Sequence, residues 1–138
     1  MTNKESARIG LRRAKVILEE ARGLYSREAW NLVVRRCQEA VELALKSALM
    51  WAGIQPPRSH DVGPALRDNA DKFPRQFAEA ISKLASISRS LRAESDLTFY
   101  GDEESGVPPE MLYDREDADE ALEKAGFVLE RCEKLSEE

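Results

Sequence analysis

Residues 25–66, YSREAWNLVVRRCQEAVELALKSALMWAGIQPPRSHDVGPAL, decide the architecture. From Trp30 onward, apolar residues recur at Val33, Val34, Cys37, Val41, Ala44, Leu45 and Ala48. Steps of three and four align on one face only in a helix. Leu43, Leu49 and Met50 widen the stripe beyond what one neighbour covers, so this helix is either central or meets a second subunit. Gly53 stops it near Trp51, and Pro56 and Pro57 bar its continuation by fixing φ and removing amide donors. Ser59 or Asp61 then caps a short helix that ends near Phe73.

The same period extends in both directions. Ala7, Leu11, Ala14, Leu18, Ala21 and Tyr25 predict a helix over 3–22, weakened at Gly23, with Ser26 as N-cap of the next. Pro74 fits the first turn of a fourth helix carrying Phe77, Ala80, Ile81, Leu84, Ile87 and Leu91. After Leu97 the period stops, and residues 98–114 read as a long connection, which in a compact domain is functional or disordered. Asp114, with Asp117 three residues on, forms the capping box of a last helix whose stripe runs from Ala118 to Leu135. Four long helices and one short one, with no alternating strand pattern, predict an all-α, antiparallel up-down bundle in a single domain over 1–138.

A chain of 138 residues buries roughly two-thirds of its unfolded surface without metal or disulfide support. Charged residues reach 34%, above the ~25% of an average domain, which suits solvated helices. The net charge of -5 argues against broad binding to a phosphate backbone. Cys37 and Cys132 lie on apolar helical faces and read as buried free thiols of a reducing compartment. No apolar run reaches the ~18 residues of a membrane span, and the start MTNKESARIG lacks a signal-peptide core, so a cytoplasmic protein without membrane contact is expected.

Taken together, AWNLVVRRCQEAVELALKSALMWAG followed by PPRSHDVGPAL resembles the HEPN family, helical nucleotide-binding domains of prokaryotes and higher eukaryotes. The resemblance rests on a Gln-x-x-x-Glu-x-x-x-Lys spine (Gln38, Glu42, Lys46), a Gly and two Pro, and a Ser-His-Asp turn (Ser59, His60, Asp61). The later SRSLRAESDLTFYGD is similar to the arginine-containing fourth helix and tyrosine-bearing loop of such proteins. It implies a five-helix bundle that often dimerises and often associates with a small nucleotidyltransferase, as a toxin–antitoxin or stress module. Some members are metal-independent ribonucleases whose signature is an Arg, four to six intervening residues, then a His. This chain departs from that pattern. The positions that would need Arg before His60 are Gly53, Ile54 and Gln55, and Arg89 and Arg92 have no histidine after them.

Each candidate residue has a plainer reading beside the functional one. His60 binds phosphate or assists catalysis, or else it pins the start of the third helix through backbone hydrogen bonds; as the only histidine it makes no histidine-rich metal site. Gln38, Glu42 and Lys46 line a cleft, or form a solvated stripe tied by i, i+4 pairs. Arg89 and Arg92 clamp phosphate oxygens and Tyr100 stacks on a base, or the arginines pair with Glu94, Asp96 or the acidic loop. Lys4, Arg8, Arg12, Arg13 and Lys15 meet RNA or an acidic partner, or pair with Glu5 and Glu19. Trp30 and Trp51 read as core or dimer anchors.

The expected function is therefore a homodimeric HEPN-type protein that binds a nucleotide, a nucleotidyltransferase partner or both, with no cofactor beyond that ligand and no metal. The alternatives are a ribonuclease toxin that uses Arg89 or Arg92 with Tyr100, and a structural interaction module built on the second helix.

Overall fold

The computed structural model describes residues 1–138, all of the chain. Four long helices dominate: α1 (Asn3–Ser26), α2 (Trp30–Trp51), α4 (Arg75–Ala93) and α7 (Arg115–Ser136). Three short ones connect them: α3 (Gly63–Asp68), α5 (Ser95–Tyr100) and α6 (Pro109–Leu112), with one 3-10 turn at Ala70–Lys72. The all-α bundle predicted from the period is the observed one, and no strand forms beyond a single bridge between Asp102 and Val107.

α2 is the central helix. It packs against α1 and α7 most extensively and also meets α4, α5 and α6. Val33, Val41, Leu45 and Leu49 have essentially no exposure, and Leu43 and Met50 are half-buried, so the widened stripe is covered from within the chain. The α1–α2 seam is built of small residues. Ala7, Gly10, Ala14 and Ala21 are buried on α1, and a β-carbon on Gly10 would collide with Ser47 Oγ. Trp30 and Trp51 pack on the core from its edges, with Tyr25 edge-on to Trp30 at 5.0 Å and Lys4 over Trp51.

Helix ends follow their local chemistry, with some departures from the sequence reading. Thr2 and Asp114 each accept from the amide three residues on and are answered by Glu5 and Asp117, making capping boxes at both termini of the bundle. Ser26 is not the cap of α2. Gly23 does not end α1, which continues through Ser26, and the chain turns through Glu28 at a φ of 58° before Ala29 starts α2 without a side-chain cap. Residues 98–114 are also not one long connection. Gly101, at φ 73°, ends α5, and the Asp102 amide donates to Val107 O at 2.9 Å, closing a tight turn before α6. Both cysteines are buried and free, and burial pushes each thiol up to about 12.

Candidate functional site

The proline-sealed turn folds His60 back onto α2. Its Nδ1 lies 2.8 Å from Glu42 Oε1, an oxygen that also accepts from Gln38 Nε2 at 3.2 Å. Lys46 Nζ donates to the other oxygen, Oε2, at 2.9 Å. Helical spacing brings Gln38, Glu42 and Lys46 into line on α2, and the turn delivers the fourth member. These residues are not a freely solvated stripe: Gln38 is buried and the Glu42 side chain is 18% exposed. Three donors on one carboxylate offset the cost of taking it partly out of water.

The imidazole itself is open, with its side chain 63% exposed. A carboxylate acceptor at Nδ1 keeps the proton on that nitrogen and leaves Nε2 free to meet solvent or a ligand. His60 thus pins the turn through the Glu42 side chain, and not through the backbone hydrogen bonds expected from the sequence. The turn is secured again from the other side. Ser59 Oγ accepts from the Asp61 amide, and Asp61 Oδ1 accepts from the Gly63 amide and from Ser88 Oγ on α4. Ser88 Oγ accepts in turn from the Val62 amide at 3.0 Å.

That packing fixes where the arginines project. Ala85 and Ser88 are the α4 residues against the turn, since a β-carbon on Gly63 would lie 3.0 Å from Ala85 Cβ. Arg89 and Arg92 follow them at i+4, on the same flank of α4 one helical turn along. Both are exposed, and neither forms an ion pair. Glu94, their suggested partner, instead accepts from the Tyr113 hydroxyl. Burial, then that hydrogen bond, raises the Tyr113 hydroxyl well above the usual phenol range.

Tyr100 stands apart. It is 63% exposed on α5, with its ring edge-on to Phe99 at 5.2 Å, and no contact joins it to the arginines or to His60. Arg35 on α2 also reaches α5, donating to Ser95 O at 2.6 Å and lying over the Phe99 ring. On α1, Lys15 pairs with Glu133 at 2.7 Å, while Arg8, Arg12 and Arg13 are exposed and unpaired. The predicted site is a surface ledge along α2, the turn and α4. A hollow of about 560 Å³ between α4 and α7 includes none of its residues. No cluster of three potential metal ligands exists, and no helix is long and apolar enough to cross a membrane.

The family model of the HEPN domain matches residues 7–135, nearly the whole chain, and the protein belongs to the HEPN family. Among solved structures, it is similar to TT1696 from Thermus thermophilus, with a TM-score of 0.75 and 25% sequence identity. That similarity covers 93% of this chain and 96% of the other. Among curated proteins, none matches.

Proposed function

We propose that this HEPN protein binds a nucleotide by its phosphates along the ledge formed by α2, the turn and α4. The observation that carries the reading is the grouping of outward-facing donors with no ion-pair partner, Arg89 and Arg92, beside an imidazole whose Nδ1 is already held by Glu42. Guanidinium forks match phosphate oxygens in pairs, the remaining Lys46 hydrogens add donors alongside, and the free Nε2 of His60 accepts from a ligand hydroxyl. Glu42 and Gln38 position Lys46 and His60. Tyr100 lies outside the group and is not assigned to this ligand.

Isothermal titration with nucleoside mono-, di- and triphosphates tests the reading. Arg92→Ala and His60→Ala are each expected to weaken binding about tenfold, the scale of one lost hydrogen bond, with circular dichroism unchanged. Wild-type protein that binds none of these nucleotides would end the proposal. The homodimer, the small nucleotidyltransferase partner and the toxin–antitoxin or stress role belong to the same proposal. Sedimentation of the purified protein and co-purification from the native host test them.

One observation favours a second reading, an atypical ribonuclease. A carboxylate-oriented histidine with a free Nε2 has the form of a general base, and the turn that carries it packs on α4 through Ser88, one helical turn before Arg92. Cleavage of RNA by purified protein, lost in both His60→Ala and Arg92→Ala, would establish it over simple binding.

A further inference from the structure

Residues 94–114 carry seven carboxylates (Glu94, Asp96, Asp102, Glu103, Glu104, Glu110 and Asp114) and no lysine, arginine or histidine. Five of the eight exposed large apolar side chains lie in the same segment. Phe99 is 56% exposed, Tyr100 63% and Met111 76%, with Leu97 and Leu112 beside them at 40% and 38%. These are not frayed ends. α5 and α6 pack on each other, the Asp102–Val107 bridge closes the turn between them, and Asn31 on α2 donates to Thr98 O at 3.1 Å. The Tyr113 hydroxyl ties the end of α6 to Glu94. The result is a fixed apolar platform with an acidic border. Two arginines from outside the segment reach it: Arg35 lies over the Phe99 ring but donates to Ser95 O and pairs with no carboxylate of the segment, and Arg115 is committed to Glu28 and the Trp30 ring.

We infer that this platform docks a basic amphipathic helix of another protein. Aromatic, leucine and methionine side chains supply the adaptable apolar surface such helices use, and their anchors recur at i, i+3, i+4 and i+7. The carboxylates select cationic flanks and steer the approach. Other occupants fit less well. Nucleic acid and anionic lipid would be repelled by the border. A two-fold pairing of platforms would set seven carboxylates against seven. The chain's own basic stripe on α1, with Ile9 and Val16 exposed among Arg12 and Arg13, would meet the platform of a second copy only head to tail, a contact that need not close. The inference stands on a different surface from the nucleotide ledge and does not depend on it.

A fluorescein-labelled helical peptide with leucine at i, i+3, i+4 and i+7 and arginine on its other face is the probe, read by fluorescence anisotropy. A scrambled peptide of the same composition controls for charge. Saturable binding is expected, at least about tenfold tighter than for the scramble, as buried apolar anchors carry most of such energy. Met111→Ser with Leu112→Ser should weaken it by a similar factor and leave nucleotide titrations unchanged. Glu103→Lys with Glu104→Lys, in the exposed turn, should weaken it and flatten its salt dependence. Equal affinity for the scramble, or binding indifferent to both double variants, would overturn the inference. So would self-association of the wild-type chain that Met111→Ser with Leu112→Ser abolishes, because the occupant would then be a second copy.

Discussion

Glu42 accepts from three side chains at once, and two of the donors are separated from it by one helical turn. The third, His60, lies 18 residues along the chain, on the far side of the proline turn. This difference explains what could be read beforehand. The i, i+4 spacing of Gln38, Glu42 and Lys46 announces their alignment on a helix, whereas nothing local says that the turn returns to α2. The same limit hid Asp61 on Ser88 and Tyr113 on Glu94. Glu42→Gln removes the charge that Lys46 and His60 share and should cost about 1–3 kcal/mol, the usual penalty for stranding partly buried donors. Urea denaturation would show it, and nitrogen-resolved NMR of the imidazole should show the Nδ1 tautomer no longer enforced. The buried thiols make a second case. With both raised to about 12, Cys37 and Cys132 should resist iodoacetamide in the native protein and react fully in guanidinium.

The long helices were legible because each repeats its apolar step over several turns. α5 and α6 were not, since six and four residues cannot establish a period and α6 opens on two prolines. The cap at Asp114 was recognised from its box, yet Ser26 misled, because a good capping residue also survives in the last turn of a helix that continues past it. Asp114→Ala should lower stability by about 1 kcal/mol, measurable as a fall in Tm, whereas Ser26→Ala should have little effect. In the α1–α2 seam, Gly10→Ala would drive a methyl into Ser47 Oγ, which is itself bonded to Leu43 O at 2.9 Å. The variant should be destabilised despite its better helix propensity, and Ser47→Ala in the same chain should recover part of the loss.

Across the whole molecule, the Tyr113–Glu94 link joins the α6–α7 junction to the α4–α5 junction, and its protonation is coupled to folding. The phenol's ordinary value is 10.0, and the folded chain raises it, so the native state keeps a proton that the unfolded chain loses above about pH 10. This contribution is complete below that pH and declines as pH rises. Tyr113→Phe should flatten the alkaline limb of the stability profile. Asp117 is raised from 3.8, mainly by burial, so its native state also holds the proton longer and stability falls as pH rises just above 3.8. Asp117→Asn should remove that slope. Beyond these links, Gly101 governs how independent the α5–α6 region is of the bundle. A single methyl there would strike Val107 O, while the core helices lie elsewhere. Gly101→Ala is thus expected to unlatch the hairpin alone. Amide exchange would then accelerate from Leu97 to Leu112 while the four-rod scaffold stays protected, which makes one carbon atom a means of silencing a binding face without unfolding its support.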